Sequence, residues 1–276
     1  MVFLMAVLPI LYMIFLWWFS TGMIMAVYGR RQNLTRLFFL LYTLAAAAAF
    51  GGLWLSRDQG SVESVYIAIT CANVIWGWHV TGYYLGFVSG PRDSHEALAQ
   101  MKSVHELGLK DRFVLAFRAS LHHELLAVGT GVLICGVVWG QANQWALWFY
   151  LTLWLMHGSA RLNVFLGVRN FNIEFLPREM HYLKHAISRS KFNMFFPASM
   201  VLAGTAVMVL IYQAILPGVS YAYSTGAAMV ATIIVLGILE HGLLVLPLPV
   251  MLWGWGLRSI EPSQNQTQKK IYESGD

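Results

Sequence analysis

Charge is what this sequence has least of. Its 18 Lys and Arg and 13 Asp and Glu amount to 11% of 276 residues, against about a quarter in ordinary soluble domains. With 58% hydrophobic residues and a mean hydropathy of +0.59, a single core of this length cannot hide the apolar surface from water. Lipid must therefore be the solvent for much of it. Cysteine is nearly absent too. Cys71 and Cys135 both lie in apolar runs, which excludes a disulfide framework and a CxxC metal motif and leaves them as small buried hydrophobes. The net charge of +5 is too small to draw nucleic acid and is better read as a topology signal. No basic stretch precedes the apolar run 2–18, so that run reads as an uncleaved first span rather than a signal peptide. Nucleophilic triads, phosphate loops, dinucleotide fingerprints and internal repeats are all missing.

Aromatic residues, by contrast, are plentiful: 11 Trp, 12 Tyr and 16 Phe, which suits a protein needing interfacial anchors. Apolar stretches of spanning length, about 20 residues, fall at 3–28, 34–55, 63–89, 113–139, 144–168, 196–216 and 221–246. Arg30, Arg31 and Arg36 follow the first; Arg92, Lys102, Lys110, Arg112 and Arg118 flank the connection after the third. Arg169, Arg178, Lys184, Arg189 and Lys191 follow the fifth, and Arg258, Lys269 and Lys270 the seventh. The opposite side has only Arg57. The positive-inside rule places the long connections and the C-terminus in the cytoplasm. The expected fold class is all-α: a polytopic integral membrane helical bundle of about seven transmembrane helices, N-terminus out and C-terminus in. Residues 1–258 form the membrane domain, and the polar stretch 259–276 reads as a disordered cytoplasmic tail.

The two long connections have helical patterning. In 94–108, Ala97, Met101, Val104 and Gly108 recur at helical spacing behind Asp93 and Glu96, placed like a capping pair. In 170–191, Phe175, Leu176, Met180 and Leu183 stand among basic residues. Both read as amphipathic helices lying on membrane lipid at the cytoplasmic surface. The run Ala45–Ala49 and the series Gly82, Gly86, Gly90 read as small-residue faces for close helix packing.

Ionisable residues inside spans are costly and often functional. The third span has His79; the fourth His122, His123 and Glu124; the fifth His157 and Arg161; the seventh Glu240 and His241. At 1.5 Å per residue all four sets lie roughly 10–16 Å inside the cytoplasmic boundary. Adjacent helical residues differ by about 100°, so His122, His123 and Glu124 cannot all face one point. Three readings stay open. One is a metal site for iron, zinc or manganese drawn from His79, His122, His123, Glu124, Glu240 and His241. Another is axial ligation of a haem or bacteriochlorophyll-type pigment by His79 or His123. The third is a hydrogen-bonded polar knot in which Arg161 neutralises Glu124 or Glu240. No Glu-x-x-His or His-x-x-x-His pair within a span supports a di-iron bundle, and His181 with His185 reads as a solvated helix face.

Several strings are more specific. Trp76-Gly-Trp-His79, Gly86-Phe-Val-Ser-Gly-Pro-Arg92, Leu121-His-His-Glu-Leu125, Leu162-Asn-Val-Phe-Leu-Gly-Val-Arg-Asn170, Glu174-Phe-Leu-Pro177 and Leu239-Glu-His241 occur in order, with Leu244-Val-Leu-Pro-Leu-Pro249 after them. Together they resemble the PuhE family of photosynthetic-complex assembly proteins of purple and aerobic anoxygenic phototrophic bacteria. The resemblance runs from about Trp17 to Arg258 and is most specific at Asn163–Asn170. It implies a multi-pass protein of the bacterial cytoplasmic (inner or intracytoplasmic) membrane, encoded beside the reaction-centre H subunit. Such a protein promotes or tunes assembly of the reaction-centre and light-harvesting core, or bacteriochlorophyll supply to it. Reaction-centre or light-harvesting subunits and pigment-synthesis proteins are the partners it implies. It also singles out His79, His123, Glu124, Glu240 and His241, while His157 and Glu179 depart from the family pattern and are the weaker site candidates. The alternative is a membrane-embedded His/Glu metalloenzyme acting on a lipid-soluble tetrapyrrole or carotenoid.

Overall fold

A computed structural model describes residues 7–28, 30–88, 108–170, 187–188 and 190–245. The tail 259–276, most of the connection 94–108, Glu179, His181 and His185 lie outside the described residues. Among these residues the fold is all-helical: α1 (Leu8–Val27), α2 (Gln32–Ser56), α3 (Val62–Tyr84), α4 (Leu109–Val138), α5 (Trp145–Leu166), α6 (Phe195–Ala214) and α7 (Tyr221–Val245).

Local chemistry sets several of these ends. Pro9 occupies the first turn of α1, where its missing N–H costs nothing. At α3 the Ser61 hydroxyl accepts the Ser64 N–H at 3.2 Å, and Glu63 sits in the first turn beside the positive end of the helix dipole. The far end of α3 corrects the expectation that this span reaches residue 89. Gly86 adopts φ +73°, the Gly86 N–H donates to Tyr83 O, and the Phe87 N–H donates to Gly82 O. That is a Schellman stop. Gly86 therefore ends the helix and does not extend a small-residue face. α4 starts at Leu109 rather than near 113, and its 30 residues reach about 45 Å. The apolar part, Ser120–Val138, is the stretch suited to lipid.

This is a membrane protein. Among the described residues, five helices are long and apolar enough to cross a bilayer: Leu8–Val27, Gln32–Ser56, Ser120–Val138, Phe195–Ala214 and Tyr221–Val245. The other two, α3 and α5, have 23 and 22 residues but carry Asn73, His79 and Thr81, and His157, Arg161 and Asn163. Their position explains the difference. α3 packs against α1, α2, α4, α5 and α7, and α5 against α3, α4, α6 and α7. A helix walled in by protein need not be apolar all round. Leu11, Phe15, Leu40, Leu44, Leu55, Leu155, Leu202 and Met208 are exposed on the outside, a surface that water would penalise and acyl chains match.

Contacts between helix ends show an up-and-down arrangement. At one end Tyr28 meets Tyr84 with ring centroids 6.4 Å apart, Phe39 stacks on Phe87 at 4.4 Å, and Phe113 meets Phe165 at 5.6 Å. Arg31, Arg36, Lys110, Arg112 and Arg169 gather here, and this is called the basic end. At the opposite end the Asn143 amide donates to Ser64 O at 2.8 Å and Ser56 O at 3.2 Å, tying the α4–α5 turn to the α2–α3 corner. Trp145 and Tyr223 pair at 5.3 Å, and the Tyr223 hydroxyl donates to Gln213 at 2.8 Å. Arg57 is at this end. Two glycines permit the closest approaches: a Cβ at Gly77 would strike the Tyr42 ring of α2, and one at Gly226 the Trp145 indole of α5. Ala46 and Ala49 are buried on α2, within the bundle.

Candidate functional site

Three helices, α3, α4 and α5, bring a box of rings together. Trp76, His79 and Tyr83 on α3 follow the spacing i, i+3, i+7 and so share one face. His123 and Thr130 on α4 are seven apart, and Tyr150, Trp154, His157 and Arg161 on α5 follow i, i+4, i+7, i+11. Trp76 lies 5.5 Å from Tyr150, 5.6 Å from His157, 6.2 Å from His123 and 6.3 Å from His79, centroid to centroid. His123 lies 5.0 Å from Tyr83, 5.5 Å from His157 and 6.1 Å from His79. These are ring-contact distances. A tetrapyrrole has no room between such rings. His79 is fully buried and bonds through Nε2 to the Thr130 hydroxyl at 3.0 Å, while the Tyr150 hydroxyl donates to Ala127 O at 2.9 Å. His123 is 1% exposed, and neither of its ring nitrogens has a hydrogen-bond partner.

Charge is confined to the edge of this box. Glu124, about 100° round α4 from His123, accepts the Trp154 indole N–H at 3.0 Å and pairs with Arg161. Arg161 is one turn beyond His157, so both project from the same face of α5. The Tyr83 hydroxyl lies within hydrogen-bonding reach of the guanidinium. An isolated carboxylate in this setting would be very costly, and the bidentate-capable guanidinium and the indole together satisfy it.

A second knot ties α5 to α6 and α7. His241, 1% exposed, bonds through Nδ1 to Gly237 O at 2.7 Å and through Nε2 to the Ser159 hydroxyl at 3.1 Å. The carbonyl acceptor puts the proton on Nδ1 of a neutral ring, so Ser159 donates to Nε2. The Asn163 amide donates to Ser159 O at 3.0 Å and Ser199 Oγ at 3.3 Å, and the Asn193 amide to Gly167 O at 2.8 Å. Past the helix end, Gly167 at φ +111° passes so close to the Ser190 backbone that a Cβ would lie 2.6 Å from its carbonyl oxygen. Asn170 then reaches the last turn of α7, giving its backbone N–H to Leu244 O at 2.9 Å and its side-chain amide to Leu243 O at 2.8 Å. The 162–170 string thus works as a clasp across three helix ends.

The structure brings together His79 and His123, and adds His157, which the sequence reading ranks low. The α5 stripe from Tyr150 to Arg161 is the signal that would have found it. His123, not His122, faces the interior; His122 is half-buried, one position round the helix. His241 is buried in its own knot, on the other side of α5 from His157. Glu240 does not join the box. It is exposed on α7 beside Trp17 of α1, because it lies about 100° from His241. Among the described residues no three His, Cys, Asp or Glu side chains are set to hold a metal ion.

A family model described as "Protein of unknown function (DUF3623)" matches residues 3–264. The chain belongs to this family. A Rhodobacter capsulatus protein described as an uncharacterized 30.4 kDa protein in the puhA 5' region is 30% identical over 254 residues, covering 90% of this chain and 89% of that protein. No solved structure matches the chain. The family match spans all seven described helices, so the box, the Glu124–Arg161 pair and the 162–170 clasp all belong to the shared region.

Proposed function

We propose that the protein is a PuhE-type assembly factor, promoting or tuning assembly of the photosynthetic reaction-centre and light-harvesting core or the bacteriochlorophyll supply to it. The relative from the puhA 5' region carries this reading, because it matches nearly the whole chain rather than a shared module. The closed box adds support: rings packed at 5.0–6.3 Å suit a rigid scaffold better than a pocket that turns a pigment over. The protein acts in the cytoplasmic membrane of a phototrophic bacterium through lipid-facing and cytoplasmic surfaces that meet reaction-centre or light-harvesting subunits and pigment-synthesis proteins. Deleting the gene should lower the assembled complex or its bacteriochlorophyll while the remaining complex keeps normal spectra. Absorption spectra of membranes and chromatography of pigment extracts read this out. Accumulation of one new tetrapyrrole or carotenoid intermediate instead would make it an enzyme, and unchanged pigment and complex would sink both.

The same reading has seven spans, with the basic end in the cytoplasm. Two observations support it: α3 and α5 are long enough at about 1.5 Å per residue, and the end contacts fit an up-and-down sequence that includes both. Single cysteines introduced at Gln59 and Gln266, in a chain lacking Cys71 and Cys135, should label from opposite faces of the membrane. Labelling of both from the outside of intact cells would refute this topology.

A further inference from the structure

The geometry points to a monovalent copper ion held between His123 of α4 and His157 of α5. Buried imidazole nitrogens without partners are rare and call for an occupant. His123 is 1% exposed with both nitrogens unpartnered, and Nε2 of His157 is likewise buried and unpartnered. The two rings stand 5.5 Å apart at 51°. The neighbouring donors are engaged elsewhere: His79 bonds through Nε2 to Thr130, Glu124 is held by Trp154 and Arg161, and His241 by Ser159 and Gly237. Two nitrogen donors match the lack of any three-donor set.

Two donors and no spare carboxylate decide which ion fits. Zinc completes four ligands, and calcium and magnesium require oxygens. Imidazole suits copper, and the closed-shell monovalent ion accepts two nitrogens without further ligands. The cost of burying an ion rises with the square of its charge, so a single positive charge is the least expensive occupant where no anion balances it. Trp76 adds a π system beside that charge, with its ring 6.2 Å from His123 and 5.6 Å from His157. Tyr83, 5.0 Å from His123, closes the side toward the basic end.

The test uses the full-length protein in detergent micelles, given Cu(I) without oxygen and challenged with a chromophoric Cu(I) chelator. A single copper per chain should remain. His123→Ala and His157→Ala should each weaken retention by at least about tenfold, the lower end of what even outer partners of a metal site contribute. Cys71→Ala with Cys135→Ala should leave it unchanged. X-ray absorption of the wild-type protein, which needs no variant to fold, should show a low-coordinate shell of imidazole nitrogen. Three results overturn the proposal: no retained copper, which leaves water as the occupant; retention undiminished in both histidine variants; or sulfur in the shell. The measurement is made on the isolated protein, so it can fail without touching the assembly role, and the reverse.

Discussion

Replacing Arg161 by Met should destabilise the bundle by about 1–3 kcal/mol, the cost of leaving a half-buried carboxylate without its charged partner. Replacing Glu124 by Met in the same chain should recover most of that loss. The single change leaves the half-buried carboxylate with the Trp154 indole, 3.0 Å away, as its remaining hydrogen-bond donor. The double change removes both charges and fills the space with flexible apolar atoms. Unfolding of helix by added SDS, measured in mixed micelles, gives both values. Equal losses in the single and double variants would mean that packing, and not unpaired charge, is what Arg161 supplies.

Adding a methyl group at Gly226 should cost about 1–3 kcal/mol, the range for overpacking a filled interior. The Cβ would fall on the Trp145 indole, which is itself held against Tyr223 at 5.3 Å and cannot swing away freely. Gly226→Ala combined with Trp145→Leu should recover part of the loss, since neighbours in contact do not add. Gly204→Ala is the contrast: nothing lies within 4 Å of its would-be Cβ, so it should be neutral. The same titration compares all three. A Gly226 variant as stable as the Gly204 one would refute the close approach of α5 and α7.

The membrane class and the alternation of helices are legible in the sequence, because apolar run length and the placement of Arg and Lys report the solvent directly. Helix ends are less so. Span three overshoots to residue 89 because Phe87 and Val88 are still apolar, while the stop depends on the conformation of Gly86, which hydropathy does not encode. The shared depth of His79 and His123 is readable from residue counting, but angle is harder. Glu240 and His241 are adjacent in sequence, yet one faces outward and the other is buried, and only the packing of α7 on α1, α3 and α5 decides which. His157 is ranked low for another reason: family resemblance weighed against it while its own helix, with Tyr150, Trp154 and Arg161 on the same stripe, argued for it. The close glycines, Gly77 and Gly226, have no local mark at all, because their need is set by Tyr42 and Trp145 on other helices.

The central position of α3 bears on how the chain is made. On the seven-span reading, α3 enters the membrane when only α1 and α2 precede it. Its partners on the other side, α4, α5 and α7, are still unmade. Asn73, His79 and Thr81, all buried in the finished bundle, then have lipid or the insertion machinery for company. Ribosome-bound chains that stop after α3 should therefore linger at the translocon, and release α3 into the bilayer only once α5 supplies the facing surface.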